Sequence, residues 1–191
     1  MRIMPIIASL AVPVVLVGGV AVAEQASARS LTNDLTERVE KALPGADVTH
    51  VNLRGRPYVV SRNNDEVSTA YVDIDTAEQG ASAQLLVQNL DLNKDRAGRV
   101  RVFLTLPYPG AGKPIENPDG SYSSRATVDG KELAFHARFS GGKVTVTTQG
   151  GPDLGTVNAP SLPGQSLVGE ATAVPKGVLV ELISRDVRMA G

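Results

Sequence analysis

The chain has 191 residues, and subtracting a 28-residue leader leaves 163, enough for one domain that buries roughly two-thirds of its unfolded surface. Hydrophobic residues make up 42% and charged residues 20%, with 19 basic against 20 acidic side chains; this excludes wholesale disorder and offers nucleic acid no basic excess. There is no cysteine, hence no disulfide, thiol nucleophile or lipoprotein attachment site, and two histidines cannot assemble the usual zinc ligand set.

Residues 1–28 read as an export leader. Arg2 precedes an apolar run from Ile3 to Ala23, followed by Glu24 and Gln25. Two small-x-small sites, Ala21-Val22-Ala23 and Ala26-Ser27-Ala28, suit signal peptidase. The run is long enough to span a bilayer, although Pro13, Gly18 and Gly19 weaken it as a membrane helix. The leader is either cleaved or retained as an anchor, and both outcomes place residues 29–191 outside the cytoplasm, in a cell envelope, a periplasm-like space or the exterior.

One helix is expected, Arg29 to Leu43, because Leu31, Leu35, Val39, Ala42 and Leu43 form an apolar stripe. Ser30 is placed to cap its start, Asp34 and Lys41 suit its dipole, and Pro44-Gly45 stops it. Beyond Asp47 the period becomes two. Val51 and Leu53, then Ala70, Val72 and Ile74, then Val100, Val102, Leu104 and Leu106 alternate with polar neighbours. Phe135, Ala137 and Phe139, then Val144 and Val146, do the same. Such alternation gives strands with one dry and one wet face. Asp129-Gly130 and Gly141-Gly142 are two-residue hairpin turns. In the last strand Val178, Val180 and Leu182 have one parity and Val187 and Met189 the other, which predicts a bulge near Ser184-Arg185-Asp186. Residues 107–120 and 150–164, each with seven Pro or Gly, read as irregular surface loops. The fold class is therefore α+β, mostly β: a curved antiparallel sheet, an open barrel or roll, wrapped on one N-terminal amphipathic helix as a single domain.

Motifs for chemistry are weak. Ser140-Gly-Gly-Lys143 matches an S-x-x-K string but falls in a hairpin turn and lacks its partner motifs. Asp91-Leu-Asn93-Lys-Asp95 starts like a calcium loop, yet Arg96 and Val102 stand where Gly and Glu are needed. Gly110-Ala-Gly-Lys113 lacks phosphate-loop spacing, and no G-x-S-x-G elbow occurs. His50 and His136 have no sequence neighbour that suggests a pair, and Asp73 and Asp75 read as a solvated strand face. No catalytic residue, metal or cofactor is assigned.

Seven aromatic residues and no tryptophan serve the whole chain, and the dry face is mainly Val, Leu, Ala, Thr and Gly. Either the aliphatic core is filled, with the helix as a lid, or it leaves an apolar groove for an acyl chain. Gly55-Arg-Pro57-Tyr58 with Asn64-Asp-Glu-Val67-Ser-Thr-Ala-Tyr-Val72-Asp-Ile74 resembles the G-x-P-aromatic signature and following strand of the actinobacterial LmeA-like phospholipid-binding proteins. Ser161-Leu-Pro163-Gly164-Gln-Ser-Leu167, Lys176-Gly177-Val-Leu-Val180 and Ser184-Arg-Asp186-Val187-Arg-Met189 are similar to that family's close. The resemblance implies an exported, non-enzymatic envelope protein with a lipid-holding cavity, similar to the tubular lipid-binding domains. It implies as partners a phospholipid, of phosphatidylinositol type in the family, and a membrane surface, with a part in mannolipid maturation. One departure stands out: the Gly/Pro-rich 150–164 occupies the place of a second amphipathic segment.

On this reading the acyl-chain lining is Leu35, Val39, Val51, Leu53, Val72, Ile74, Val102, Leu104, Phe135, Phe139, Val144, Val178, Val180 and Leu182. Arg54, Arg56 and Arg62 are the headgroup candidates, since guanidinium binds phosphate bidentately. The alternative is an exported structural or interaction module with a filled core, binding protein or glycan through its two long loops.

Overall fold

The structure, a computed structural model, describes residues 6–55, 57–75 and 80–189, with side chains described from residue 21 onward. Helix α1 spans Ile6–Ala42 and α2 spans Tyr58–Asn63. The strands are β1 Asp47–Arg54, β2 Glu66–Asp75, β3 Ser82–Asp91, β4 Arg96–Leu106, β5 Gly112–Glu116 and β6 Tyr122–Val128. They continue as β7 Lys131–Ser140, β8 Lys143–Gln149, β9 Gly155–Asn158, β10 Ser166–Leu167, β11 Thr172–Val174 and β12 Gly177–Arg188. All pairings are antiparallel. A seven-stranded sheet runs β1-β2-β3-β4-β12-β10, with β11 also on β12, and a five-stranded meander runs β5 to β9 in order. The chain is thus mostly β with one long N-terminal helix, as its periodicities require, and neither sheet closes into a barrel.

The helix differs from expectation at its start. Ser30 caps nothing, because α1 spans Ile6–Ala42 and runs unbroken through it. Its end is as expected: Pro44 and Gly45, the latter at φ +89°, stop it after Ala42. Leu31, Leu35, Val39 and Leu43 are buried, one every fourth residue, and join a single apolar cluster with the inward side chains of both sheets. Asp129-Gly130 and Gly141-Gly142 are two-residue turns with positive φ at both positions, as type I′ demands.

The loop assignments need correction. Residues 107–120 contain β5, and 150–164 contain β9, so both stretches supply edge strands of the five-stranded sheet. Gly and Pro marked the turns there but hid short strands, which are tolerated at sheet edges. β3 and α2 also lay outside the sequence-derived elements. Ala83, Leu85, Leu86 and Val87 of β3 are all buried, so it carries too little alternation to stand out.

The parity change in β12 is real, but it is not a bulge. Arg185 pairs with Arg99 and Val187 with Ala97, so the register passes over Asp186 and Gly98 together and does not shift. The same rung is passed over between β3 and β4 and between β2 and β3. Two consecutive outward residues stand there on every strand: Ser68 and Thr69, Gln88 and Asn89, Gly98 and Arg99, Arg185 and Asp186. On β1 the rung falls at Gly55, which lies against Ser68. Gly55 (φ +95°), Asn89 (+53°) and Asp186 (+53°) take left-handed backbone on alternate strands, and these are the residue types that tolerate it. A crease shared by five neighbouring strands needs no extra residue on any one of them. Gly98 is closely packed, since an added Cβ would sit 3.3 Å from the Asn89 Cβ and need a shift of a few tenths of an ångström. Beyond the crease the β3–β4 turn reaches α1, where Asp95 pairs with Arg38.

Candidate functional site

The fourteen lining candidates fall on the elements assigned to them, with their side chains inward. Leu35 and Val39 lie on α1, Val51 and Leu53 on β1, Val72 and Ile74 on β2, and Val102 and Leu104 on β4. Phe135 and Phe139 lie on β7, Val144 on β8, and Val178, Val180 and Leu182 on β12. Val51 and Phe139 are partly buried and the other twelve are buried, all within one apolar cluster. Most of the twelve have no exposure at all, so helix and sheets touch directly at these positions.

Of the fourteen, only Ile74 borders any of the three described pockets, and it borders two of them. One of these, of about 530 Å³, opens at the seam between the two sheets, where α1 ends. Leu43, Ala46, Ile74 and Ala159 form its floor, with Pro44 and Pro160 at the sides. The floor is set by local stops. Pro44-Gly45 turns the chain out of α1, so Ala46 is reached just before β1 begins, and Ala159 follows the end of β9. Asp47 and Asp75 stand at the rim and face each other across the β1–β2 ladder. A second pocket, of about 350 Å³, lies between α2 and the crease, lined by Val60, Ser61 and Asn64 against Glu66–Ser68 and Asn89–Asp91. A third, of about 730 Å³, is an open trough on the wet face of the seven-stranded sheet, where Asp73 accepts a 2.6 Å hydrogen bond from Gln84. None of the three was legible as a set in the sequence. The seam pocket joins residues 43–47, 74–75 and 158–161, and the parity of Ile74 and the place of Leu43 on the helix stripe were the signals pointing to it.

Arg62 on α2 is held by Asp34 of α1 at 2.6 Å, Arg54 is exposed at the end of β1, and Arg56 lies outside the described residues. The other charged motifs are engaged among themselves. In the Asp91–Asp95 turn, Lys94 pairs with Asp91 at 2.6 Å and holds that carboxyl below its usual range, while Asp95 meets Arg38. Ser140-Gly-Gly-Lys143 is the β7–β8 turn, and His50 and His136 are exposed on strands. Asp129 closes the 110–112 turn by accepting a 3.0 Å bond from the Ala111 amide. Among the described residues no group of three His, Cys, Asp or Glu is placed to hold a metal.

An unforeseen contact ties the N-terminal part of α1 to α2. The carboxylate of Glu24, on α1, accepts from the backbone amides of Tyr58 at 2.8 Å and Val59 at 3.1 Å, the first turn of α2. It takes up two amides that a helix start leaves without intrahelical partners. Among the described residues no helix is long and apolar enough to cross a membrane; the apolar run 3–23 falls mostly outside the described side chains. Comparison with known proteins finds no family model, no curated protein and no solved structure that matches this chain.

Proposed function

We propose that this chain is an exported, non-catalytic binder of an acyl-chain lipid at a cell envelope, with the seam pocket as its port. The supporting observation is the apolar floor of Leu43, Ala46, Ile74 and Ala159 in a space of about 530 Å³, a size typical of small-molecule sites. Burial of chain carbons there supplies about 0.8 kcal/mol per CH₂. A port at the end of α1 gives a tail access to the Leu35 and Val39 stripe through motion of the helix end, without opening the sheet. The rim also selects. Asp47 and Asp75 repel an anionic head, so an amine-bearing or uncharged lipid suits this mouth better than the phosphatidylinositol type implied by the resemblance.

Native mass spectrometry of protein taken from its own membrane fraction tests the proposal. Bound lipid mass is expected in the native chain and its loss in Ala46→Phe, with the thermal transition kept. Asp75→Lys is expected to turn the preference toward anionic lipid. Folded protein that carries no lipid and takes none from vesicles would sink the proposal.

A second reading, the filled-core interaction module, is favoured by the packing of thirteen lining candidates away from any described pocket. Substituting Pro118 and Asp119, in the tight turn that Asn117 and Ser121 close, tests it while leaving β5 in place. Partner capture lost in that variant, with lipid mass absent throughout, would favour it.

A further inference from the structure

The trough of about 730 Å³ on the wet face of the seven-stranded sheet takes no part in holding an acyl chain. We infer that it is a binding site for an uncharged sugar ring. The chain has seven aromatic residues and no tryptophan, and two of the seven, Tyr71 and Phe103, border this trough. Both point away from the core, since their strand neighbours Ala70, Val72, Val102 and Leu104 are the buried ones. Phe103 is fixed in place: the Arg101 guanidinium lies 5.3 Å from its ring centroid and is itself paired with Glu181. A ring held this way offers apolar surface to the C–H face of a sugar with little entropy left to lose on binding.

Strand register supplies the polar groups. Asp75, Ser82, Thr105 and Leu179 share one rung from β2 to β12, and Asp73, Gln84 and Phe103 share the next. Gln84 donates one amide hydrogen to Asp73 at 2.6 Å, which leaves its second N–H, its oxygen and the other Asp73 oxygen for a ligand. The side chains of Asp75, Ser82, Thr105 and Lys176 and the Tyr71 hydroxyl have no hydrogen-bond or ion-pair partner among the described residues. Donors and acceptors are thus mixed. A hydroxyl both donates and accepts, so neighbouring hydroxyls of a sugar satisfy the Asp73–Gln84 pair from both sides. An amine serves the acceptors alone and leaves Lys176 and the spare Gln84 N–H unmet. Anionic sugars are disfavoured, because Asp73 and Asp75, with Asp47 opposite Asp75 and His50 opposite Asp73 on β1, outweigh Lys176. Three strand spacings, about 14 Å in all, separate β2 from β12, which gives room for a short oligosaccharide laid across the strands.

Ile74 and Asp75 border both the trough and the seam pocket. The ring therefore has two sources, a free oligosaccharide or the head of a lipid whose tail enters the seam. Only the second rests on the proposed function.

An array of neutral oligosaccharides, with uronic-acid and amino-sugar oligomers as charged comparators, tests the site with the full chain in a sugar-free detergent. Each sugar is presented free and on an alkyl chain. Binding confined to neutral members is expected, weakened on the order of tenfold by Phe103→Ala and by Gln84→Leu. Tyr122→Ala, which removes an exposed ring on the other sheet, is expected to change nothing. Gln84→Leu leaves the core intact, so it decides the matter if Phe103→Ala does not fold. A lipid head binds only in the alkyl form and is lost in Ala46→Phe, whereas a free sugar binds in both forms and tolerates that change. No binding of a neutral sugar in either form, a preference for a charged one, or equal binding by Gln84→Leu overturns the inference. Lipid mass in the native chain is read separately, so the lipid reading can fail while the sugar site stands.

Discussion

Replacing Asp186 separates two reasons for its presence. Its carboxylate faces Arg96 at 3.7 Å, with the two side chains 75% and 58% exposed. Its backbone sits at φ +53°. An exposed pair at that distance contributes a few tenths of a kcal/mol, whereas left-handed backbone costs an ordinary L-residue about 1–2 kcal/mol. Asn and Asp escape part of that cost because their short polar chains bond locally. If backbone decides, Asp186→Asn changes stability by less than about 0.5 kcal/mol and Asp186→Ala lowers it by about 1 kcal/mol. Asp186→Gly falls near zero, as relief of strain is offset by the larger entropy of the unfolded chain. For a domain of this size, 1 kcal/mol corresponds to about 2–4 °C. Urea unfolding of the full chain in mild detergent, followed by far-UV circular dichroism at constant m-value, resolves these differences. The crease explanation fails if Asn destabilises as much as Ala and added salt abolishes the loss, because charge would then be the cause.

Four further outcomes follow from packing and titration. Leu35→Ala empties a fully buried position between helix and sheets and is expected to lose about 3–5 kcal/mol in the same assay; a loss below 1 kcal/mol would mean that the helix stripe is not packed. Gly177 has φ +148°, and a Cβ there would stand 2.0 Å from the Leu106 carbonyl oxygen, which is backbone and cannot yield. Gly177→Ala should lose on the order of 3 kcal/mol, against about 1 kcal/mol for Gly164→Ala, where nothing lies within 4 Å. The Tyr108 phenol is pushed up to about 12 by burial, and its hydroxyl donates to the Val174 carbonyl at 2.9 Å. A folded value above the unfolded one favours the neutral form, so this contribution is complete below about pH 10 and lost as pH rises toward 12. The thermal midpoint of the native chain should fall more steeply across that window than that of Tyr108→Phe.

Much of the architecture was legible because period is local. Leu31, Leu35, Val39 and Leu43 announce a helix, and Val100, Val102, Leu104 and Leu106 announce a strand, whatever they pack against. Both type I′ turns were readable from their dipeptides, since few residues accept positive φ. The parity change at Ser184–Val187 was also visible, but its cause was not. A single chain cannot show that β2, β3 and β4 turn at the same rung, so one strand's irregularity looked like a bulge.

Hydrophobic spacing and turn chemistry alone determined an antiparallel, mostly β chain on an N-terminal helix, because each depends on residues close in sequence. Tertiary structure decided where space and charge were left over. The seam pocket exists because α1, β2 and the segment after β9 end at one place, and Glu24 meets Tyr58 and Val59 across more than thirty residues. Side chains known to point inward could not be sorted by sequence into those that fill the core and those that border a gap. That depends on how closely distant elements approach, and such distances are set only when the whole core packs.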